Sequence, residues 1–370
     1  MRHAHRRNLV LLTRIVLAIL FVCIALYLLL GARKLREKLG LDRVTAPDRS
    51  LLTNPFVVEE LDGYLVYPRM FSPGSSALNE TLILVSHTTS AHLERLPALA
   101  LRWEAPISLA VFTPTVQIFS SVVKKISRLR ACDKVVWRFV TFHIVTLSDV
   151  RPSGKSLVYS EVDAEECSKF VKSFSHPEVE KPDNYALSVP YPNNLLRNVG
   201  RKYVKADYVL VLDIDMTPNI NLHRDFLAFL HNQLSLESGS KLAYVLPAFE
   251  LATSSSDREV EYPSTKSELL VLLVRMRVRP FYFEVCWPCQ QPTNYGRWTT
   301  LESPDTAPLQ VAYNVEWIDP WEPFYITKNS APMYDARFQQ YGFNRISQVK
   351  TVFSKQKVKN KLVCGFVLGL

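Results

Sequence analysis

The sequence has no internal repeat, no low-complexity tract and no basic stripe interleaved with aromatic residues. These absences argue against repeat architectures, disordered chains and nucleic-acid-binding proteins. The formal charge of +9 does not weaken this conclusion, because residues 1–38 hold eight Arg and Lys residues and a single Glu, a net +7. The rest of the 370 residues is therefore nearly neutral, and a hydrophobic content of 48% is ample for a folded core.

Cysteines are few and lack the spacing of a zinc site. Only two residues separate Cys286 from Cys289, but no second Cys or His pair at zinc-finger spacing accompanies them, and no thioredoxin-like context surrounds them. We therefore interpret them as a structural pair or as buried thiols. Together with Cys132, Cys167 and Cys364, they allow one or two disulfides in an oxidising compartment, with the pairing open.

The sequence has one long uncharged apolar run, residues 15–30, which would span about 24 Å as a helix. No small-residue cleavage site follows it and basic residues come next, which favours an uncleaved membrane anchor over a signal peptide. We predict a cytoplasmic tail at 1–14, a transmembrane signal anchor at 15–31, and a stem and entry segment at 32–78. Asn79 begins the only N-glycosylation sequon, which is consistent with a lumenal location for the residues around it.

After the stem, strand-like and helix-like segments alternate. Buried-strand patterns at 82–86, 107–112 and 137–147 are separated by helical spacing at 93–103 and 116–129. This β-α-β-α-β order predicts parallel strands with right-handed crossovers, as in a Rossmann-like α/β sheet whose ligands bind at the carboxyl ends of the strands. Residues 148–190 are polar and contain prolines, so we expect a lid or connection there.

Asp213 and Asp215 are the central site prediction. They follow the apolar strand 208–212, which comes after a predicted helix at 193–201. Because one residue separates the two carboxylates, a turn at the strand end can aim both at one point. A divalent cation that binds substrate phosphates takes such oxygen ligands. We predict that they are metal ligands; the alternative is a plain strand-end turn.

Two further segments border the same predicted sheet edge. His87, Thr88 and Thr89 follow the first strand of the α/β region, and Arg197 and Asn198 lie on the helix before the acidic pair. Because ligands bind at the carboxyl edge of such sheets, we expect these five residues near a nucleotide and its diphosphate. A solvent-exposed helix face is the alternative for Arg197 and Asn198.

In the C-terminal third of the sequence, the residue pattern predicts a strand at 242–249 and a helix at 264–278. Residues 313–325, which follow, are rich in aromatic and acidic side chains. Aromatic faces stack on sugar rings, so we expect Trp317, Trp321 and Tyr325 to bind a sugar that accepts a transferred group. The alternative is a hydrophobic ridge.

If the site transfers a group to a sugar hydroxyl, a general base must remove the proton of that hydroxyl, and a carboxylate can serve this role. We assign it to Glu322, because the flanking rings would partly desolvate the carboxyl and raise its pKa. Asp335 is the second choice, and Asp319 is a further candidate. A plain sugar-binding role for Glu322 stays open.

Six runs of the sequence resemble glycosyltransferase family 49. They are residues 102–112, 206–218, 246–250, 288–298, 319–325 and 334–348. Taken together, these runs are far more specific than the acidic pair alone. The resemblance is strongest to the single-domain glucuronyltransferases of that family.

The resemblance implies a GT-A fold for residues 79–348 and a type II Golgi membrane enzyme with a lumenal catalytic domain. It also implies Mn²⁺ held by Asp213 and Asp215, with UDP-glucuronate as the donor. The implied reaction is inverting transfer of glucuronate to a xylose-terminated O-mannosyl glycan on a glycoprotein such as α-dystroglycan.

Residues 349–370 depart from the family pattern. Family members supply a late histidine, just before a Lys-Gly-Phe, as a further metal ligand, whereas no histidine follows Gln348 here. We therefore expect a divergent, truncated tail. Two alternatives stay open: the same fold using another UDP-sugar such as UDP-xylose, and a membrane-anchored binding protein that has lost turnover.

Overall fold

The computed structural model describes residues 58–75, 81–152, 163–175, 188–233, 241–252, 262–302, 308–340, 342, 344–355 and 358–369. Within these ranges no helix is long and apolar enough to cross a membrane. The predicted anchor at 15–31 and the sequon residue Asn79 lie outside the described residues.

The first half of the chain holds the elements β1 Glu59–Leu61, β2 Tyr64–Phe71, β3 Leu82–Thr89, α1 Leu96–Trp103, β4 Ile107–Thr113, α2 Val116–Cys132, α3 Lys134–Phe139, β5 Val140–Leu147, α4 Ala164–Ser175, α5 Asn193–Lys202, β6 Tyr208–Val211, β7 Met216–Pro218 and α6 Leu222–Gln233. The second half holds β8 Leu242–Leu246, β9 Ala248–Leu251, α7 Lys266–Val274, β10 Val278–Pro280, α8 Tyr295–Thr300, β11 Val311–Val315, β12 Phe324–Lys328, α9 Asn344–Lys350, β13 Lys359–Val363 and β14 Val367–Gly369.

A ten-stranded sheet carries the fold, in the order β1-β2-β5-β4-β3-β6-β12-β8-β13-β11. Its centre, β5-β4-β3-β6, is parallel throughout, which confirms the predicted parallel α/β core. Every residue of β3 and β4 is buried, as expected for parallel strands covered on both faces. A second sheet has the order β10-β9-β14-β7.

Helices cover both faces of the parallel strands. Leu84, Leu109 and Phe142 pack with the apolar faces of α1 and α2 in one cluster, while Phe112 and Val145 pack with α5 in another. Helix α5 lies close to the sheet at Gly200, where an added Cβ would be 2.6 Å from Val85 Cγ1. This close approach sets the position of the side chains that α5 carries to the carboxyl edge.

Regular structure begins before the first predicted strand, 82–86, because β1 and β2 precede it. β1 and β2 form a hairpin, and β2 pairs antiparallel with β5, so part of the predicted stem belongs to the main sheet. The hairpin turns through Asp62 and Gly63, both at positive φ. Asp-Gly is a strong signal for a two-residue hairpin turn, so the sequence contained the information.

Three predicted elements have different bounds. The strand predicted at 137–147 begins at Val140, because Asp133 accepts hydrogen bonds from two backbone N–H groups and starts α3. The strand predicted at 242–249 divides at Pro247 into β8 and β9, which lie in different sheets. The helix predicted at 264–278 ends at Val274 and is followed by β10.

The C-terminal residues do not form a separate tail in the described ranges. β13 pairs with β8 and β11 in the large sheet, and β14 pairs with β7 and β9 in the small one. Part of the predicted lid at 148–190 is helix α4, tied to the end of α2 by the disulfide Cys132–Cys167. Cys286 and Cys289 form a second disulfide, which confirms the predicted structural pair, and Cys364 is a buried free thiol.

Candidate active site

A cavity of about 770 Å³ opens at the carboxyl edge of the parallel strands. β3 and β6 pair in parallel with Val85 opposite Val211, so His87 and Asp213 each follow two residues later on neighbouring strands. This register brings the predicted segments His87–Thr89 and Asp213–Asp215 to one wall of the cavity. The volume lies in the usual range for a small-molecule site.

Asp213 is held by three side chains. Its Oδ1 accepts hydrogen bonds from Arg197 Nη2 at 2.8 Å and His87 Nε2 at 3.0 Å, and its Oδ2 accepts one from Arg345 Nη2 at 2.6 Å. Burial opposes ionisation of this carboxyl, but the two guanidinium charges and the imidazole hold its pKa well below the usual range. Asp213 is therefore an ionised anchor for Arg197 and Arg345.

His87 links Asp213 to Tyr191. Burial lowers the pKa of His87, so the ring is neutral at physiological pH, although its bond to Asp213 opposes this shift. Since an ionised carboxylate only accepts hydrogen bonds, Nε2 carries the proton and donates to Asp213. Nδ1 then accepts from the hydroxyl of Tyr191 at 2.7 Å.

Asp215 behaves in the opposite way. Burial and the negative charge of Asp213 raise its pKa, and it has no ion pair within the described ranges. Those ranges hold no group of three or more His, Cys, Asp or Glu side chains that would enclose a metal ion. The two carboxylates fit a divalent cation that takes its remaining ligands from phosphate and water, and they do not fit an all-protein cage.

Glu322 lines the same cavity and lies two residues before β12, the strand that pairs antiparallel with β6. Its backbone N–H donates to Cys289 O at 2.8 Å, and Gln290 Nε2 donates to its carbonyl at 3.0 Å. Its carboxyl accepts from the backbone N–H of Ile346. Burial raises the pKa of Glu322, and the charge of Arg345 opposes the shift.

Asp335 and Asp319, the other predicted bases, do not line the cavity. Asp335 pairs with Arg337, whose hydrogen bond lowers the pKa of Asp335. Asp319 is more than half exposed and lies 3.5 Å from Lys350 Nζ. Neither carboxylate shares the cavity with Asp213.

Of the five residues predicted for the nucleotide site, four line the cavity and one does not. His87, Thr88, Thr89 and Arg197 line the cavity. Asn198 does not: its side chain donates to Tyr334 O at 2.7 Å and accepts from Tyr334 N at 2.8 Å. Neighbouring helix positions point in different directions, so Asn198 fixes the loop after β12 while Arg197 reaches the site.

The predicted stacking role of the aromatic residues is wrong for Trp321, which is fully buried and donates from Nε1 to Thr293 Oγ1 at 3.0 Å. Tyr325 is also buried, with its hydroxyl bonded to Gln348. Trp317 is partly buried and donates to Trp321 O. All three rings pack in one hydrophobic cluster with residues of both sheets, among them Val245 of β8 and Phe249 of β9.

Sequence reasoning missed several residues of the cavity, among them Arg95, Arg345, Tyr191, Phe281 and Tyr282. Arg345 lies at the start of α9, and its guanidinium stands 3.8 Å from the ring centroid of Phe324. Asn194 of α5 donates to Asn344 O at 2.7 Å and so ties α9 to α5. The run at 334–348 contained Arg345, but nothing in the sequence indicated its contact with Asp213.

Comparisons with known proteins identify the family of the chain. The sequence profile of a family described as "Glycosyl-transferase for dystroglycan" matches residues 81–354. The chain is 41% identical over 290 residues to "Beta-1,4-glucuronyltransferase 1" of Danio rerio, covering 75% of this chain and 63% of that protein. It is 36% identical over 321 residues to the Homo sapiens protein of the same name, covering 84% of this chain and 72% of that protein.

A more distant relative is "Xylosyl- and glucuronyltransferase LARGE1" of Mus musculus, 27% identical over 274 residues, which are 74% of this chain and 29% of that protein. The chain thus spans less than two thirds of the Danio rerio relative's length.

Proposed function

Because the chain belongs to the family of glycosyltransferases for dystroglycan, we propose that it transfers glucuronate from UDP-glucuronate to a glycan acceptor. The proposed acceptor is a xylose-terminated O-mannosyl glycan on a glycoprotein such as α-dystroglycan. The observation that carries the proposal is one cavity with a carboxylate pair at a strand exit, three arginines and the separate, half-buried carboxyl of Glu322.

The diphosphate of the donor would bind at the end of β6. Asp213 and Asp215 would hold a divalent cation, proposed as Mn²⁺, which neutralises charge on the leaving diphosphate when bound. Asp213 keeps Arg197 in place beside this position, with two guanidinium nitrogens bonded to Asp213 and Asn194. His87, Thr88 and Thr89 would border the nucleotide on the neighbouring strand.

Glu322 would act as the general base. The acceptor hydroxyl oxygen attacks the anomeric carbon as the bond from that carbon to the phosphate oxygen breaks, and its proton passes to the Glu322 carboxylate. UDP leaves with the bonding electron pair, so the configuration at the anomeric carbon inverts. A buried carboxyl with a raised pKa suits this role, because its basicity is greater than that of an exposed Glu.

We propose a type II Golgi membrane location, with residues 15–31 as the anchor and the catalytic domain in the lumen. The disulfides Cys132–Cys167 and Cys286–Cys289 support an oxidising compartment. Glycosylation at Asn79 would be compatible with this location.

Two alternatives have a specific motivation. Another donor such as UDP-xylose is suggested by the printed name of the Mus musculus relative, a xylosyl- and glucuronyltransferase. Donor binding without turnover is suggested by the described residues, in which no third metal-ligating side chain accompanies the carboxylate pair.

Calorimetry and a donor panel separate these functions. The expected result is Mn²⁺-dependent binding of UDP, followed by transfer from UDP-glucuronate, and not from UDP-xylose, to a β-xyloside acceptor. Transfer only from UDP-xylose would select the alternative donor. Binding of UDP with no transfer from any donor would reduce the protein to a binding module, and no binding of UDP would refute the proposed site.

A further inference from the structure

Arg345 is the least expected basic residue of the cavity. Its Nη2 donates to Asp213 Oδ2 at 2.6 Å, and its side chain is 11% exposed. The guanidinium carbon Cζ lies over the ring of Phe324, 3.8 Å from the ring centroid. This packing and the ion pair fix the guanidinium in one position, so little side-chain entropy is lost when it binds a ligand.

Most of the donors of this guanidinium are unused. Arg carries five N–H donors, and in the part of the chain that the structure describes Asp213 is the single hydrogen-bond acceptor for Arg345. The other guanidinium nitrogens of Arg345 have no hydrogen-bond partner in this part of the chain, and they are not fully buried. They are therefore accessible from the cavity, which Arg345 lines. Arg345 can therefore bind an anion without giving up Asp213.

The other two arginines of the cavity are placed differently. Arg197 is 3% exposed, and both of its Nη atoms already bond to Asp213 and Asn194. Arg95 acts electrostatically on Asp215, at the phosphate end of the proposed donor site. Arg197 acts on Glu322 as well, but its Nη atoms are already engaged. Arg345 bonds to Asp213 and directly precedes Ile346, whose backbone N–H bonds to the Glu322 carboxyl, so it lies beside the interval between the phosphate end and the proposed base.

The transferred sugar has to occupy that interval. Its anomeric carbon is bonded to the diphosphate on one side and attacked on the other by the hydroxyl that Glu322 deprotonates. A group on this sugar is therefore the nearest ligand for Arg345. A hexuronate carries a planar carboxylate, which matches the donor fork of a guanidinium, whereas glucose or xylose offers no negative charge there.

We infer that Arg345 binds the carboxylate of the donor's uronate sugar and so sets the preference for a uronate over a neutral sugar. The inference rests on the proposed function. Phosphate oxygens share the anionic chemistry of a carboxylate, so the test must separate the sugar end of the donor from the diphosphate.

Calorimetry with UDP, UDP-glucose and UDP-glucuronate, each with Mn²⁺, makes this separation. UDP-glucose differs from UDP-glucuronate at the carboxylate alone. We expect Arg345→Gln to weaken binding of UDP-glucuronate by about 10- to 100-fold, as for a lost charge-assisted hydrogen-bond pair. Binding of UDP and UDP-glucose should change by less than about threefold, because neither ligand carries a carboxylate for Arg345 and Asp213 keeps its bonds from Arg197 and His87.

Two more variants complete the design. Arg345→Lys keeps the charge but loses the fork, so we expect an intermediate loss for UDP-glucuronate alone, about 3- to 10-fold. This variant also decides the test if Arg345→Gln does not fold. Arg337→Gln removes a charge from an exposed arginine outside the cavity and should leave all three affinities unchanged.

An equal loss for all three ligands would assign Arg345 to the diphosphate and overturn the inference. Unchanged binding of UDP-glucuronate in a folded Arg345→Gln or Arg345→Lys protein would also overturn it. The unsubstituted protein reports on the proposed function separately: if it does not bind UDP, the donor site fails, and if it binds UDP-glucose as tightly as UDP-glucuronate, uronate recognition fails before any variant is made.

Discussion

Two walls of the cavity place a carboxyl group in contrasting surroundings. The strand wall, defined as His87–Thr89 with Asp213–Asp215, keeps the half-buried Asp213 ionised, because Arg197 and Arg345 bond to it. The loop wall, defined as Cys286–Gln290 with Glu322, buries Glu322 and raises its pKa. One carboxyl thus serves as a fixed negative charge, while the other is suited to accept a proton.

The two walls also differ in the interactions that fix their positions. Sheet register fixes the strand wall, because β3 and β6 end side by side. The loop wall is joined by two hydrogen bonds between Glu322 and the turn closed by the Cys286–Cys289 disulfide. Changes in the loop wall should therefore affect turnover more than donor binding.

The largest expected effect is that of Glu322→Gln. Loss of a general base should reduce transfer by about 10²- to 10⁴-fold, while UDP binding stays intact, because the amide cannot take the proton. Single-turnover transfer and calorimetry on the same samples measure both. Asp319→Asn and Asp335→Asn are matched controls outside the cavity and should transfer normally. Normal turnover in Glu322→Gln would remove this residue from the mechanism.

Asp213→Asn and Asp215→Asn sharpen the contrast within the strand wall. Both should abolish Mn²⁺-dependent UDP binding. Their stabilities should diverge, because Asp213→Asn leaves two guanidinium groups without a counter-charge, at a cost of about 1–3 kcal/mol after allowance for partial exposure. Asp215→Asn should unfold at the same free energy or a higher one near neutral pH, because a raised pKa means that ionisation of Asp215 destabilises the fold. Denaturant unfolding checks this order, and a larger loss for Asp215→Asn would contradict it.

Trp321→Phe tests the correction to the aromatic segment. The indole is buried and bonded to Thr293, so we expect a loss of about 1–2 kcal/mol in the free energy of unfolding. The KM for the acceptor should stay within about twofold, since the ring does not line the cavity. A large rise in acceptor KM without loss of stability would restore the stacking role.

Gln290→Ala should have a smaller effect, confined to the loop wall. It removes the side-chain bond to Glu322 O and leaves the carboxyl itself in place. We expect kcat to fall by about 3- to 10-fold with donor affinity unchanged, as for one lost neutral hydrogen bond. Steady-state kinetics give this division, and a change in donor affinity alone would show that the turn supports the donor rather than the base.

The pH dependence of kcat should reflect the loop wall. Glu322 acts as a base only when ionised, and burial raises its pKa. Transfer should therefore decline on acidification at a higher pH than an exposed Glu would require. Arg345→Gln should move this decline to still higher pH, because the charge of Arg345 favours the ionised form. A decline that does not move in that variant would indicate another titrating group.

The strand wall was largely predictable from the sequence. Apolar runs that end in polar residues indicate parallel strands, and their carboxyl ends must meet at one edge, so His87, Asp213 and Asp215 could be grouped without a structure. The Asp62-Gly63 hairpin was present in the sequence but was assigned to the stem.

The loop wall was less predictable, because its segments have no periodicity to set side-chain direction. Glu322 lies in the cavity, while neighbouring Trp321 is buried on the opposite side, although both belong to one aromatic and acidic run. Arg345 bonds to a carboxylate 132 positions away in the chain, a contact that depends on how α9 packs against α5.

The anomeric configuration of the product tests the central claim most directly. The protein would be incubated with UDP-glucuronate, Mn²⁺ and a β-xyloside, and the linkage determined by NMR spectroscopy. Direct displacement assisted by Glu322 inverts the α-linked donor, so the account predicts a β-linked glucuronate. An α-linked product would exclude the single displacement, and the absence of any transfer would contradict the proposed activity.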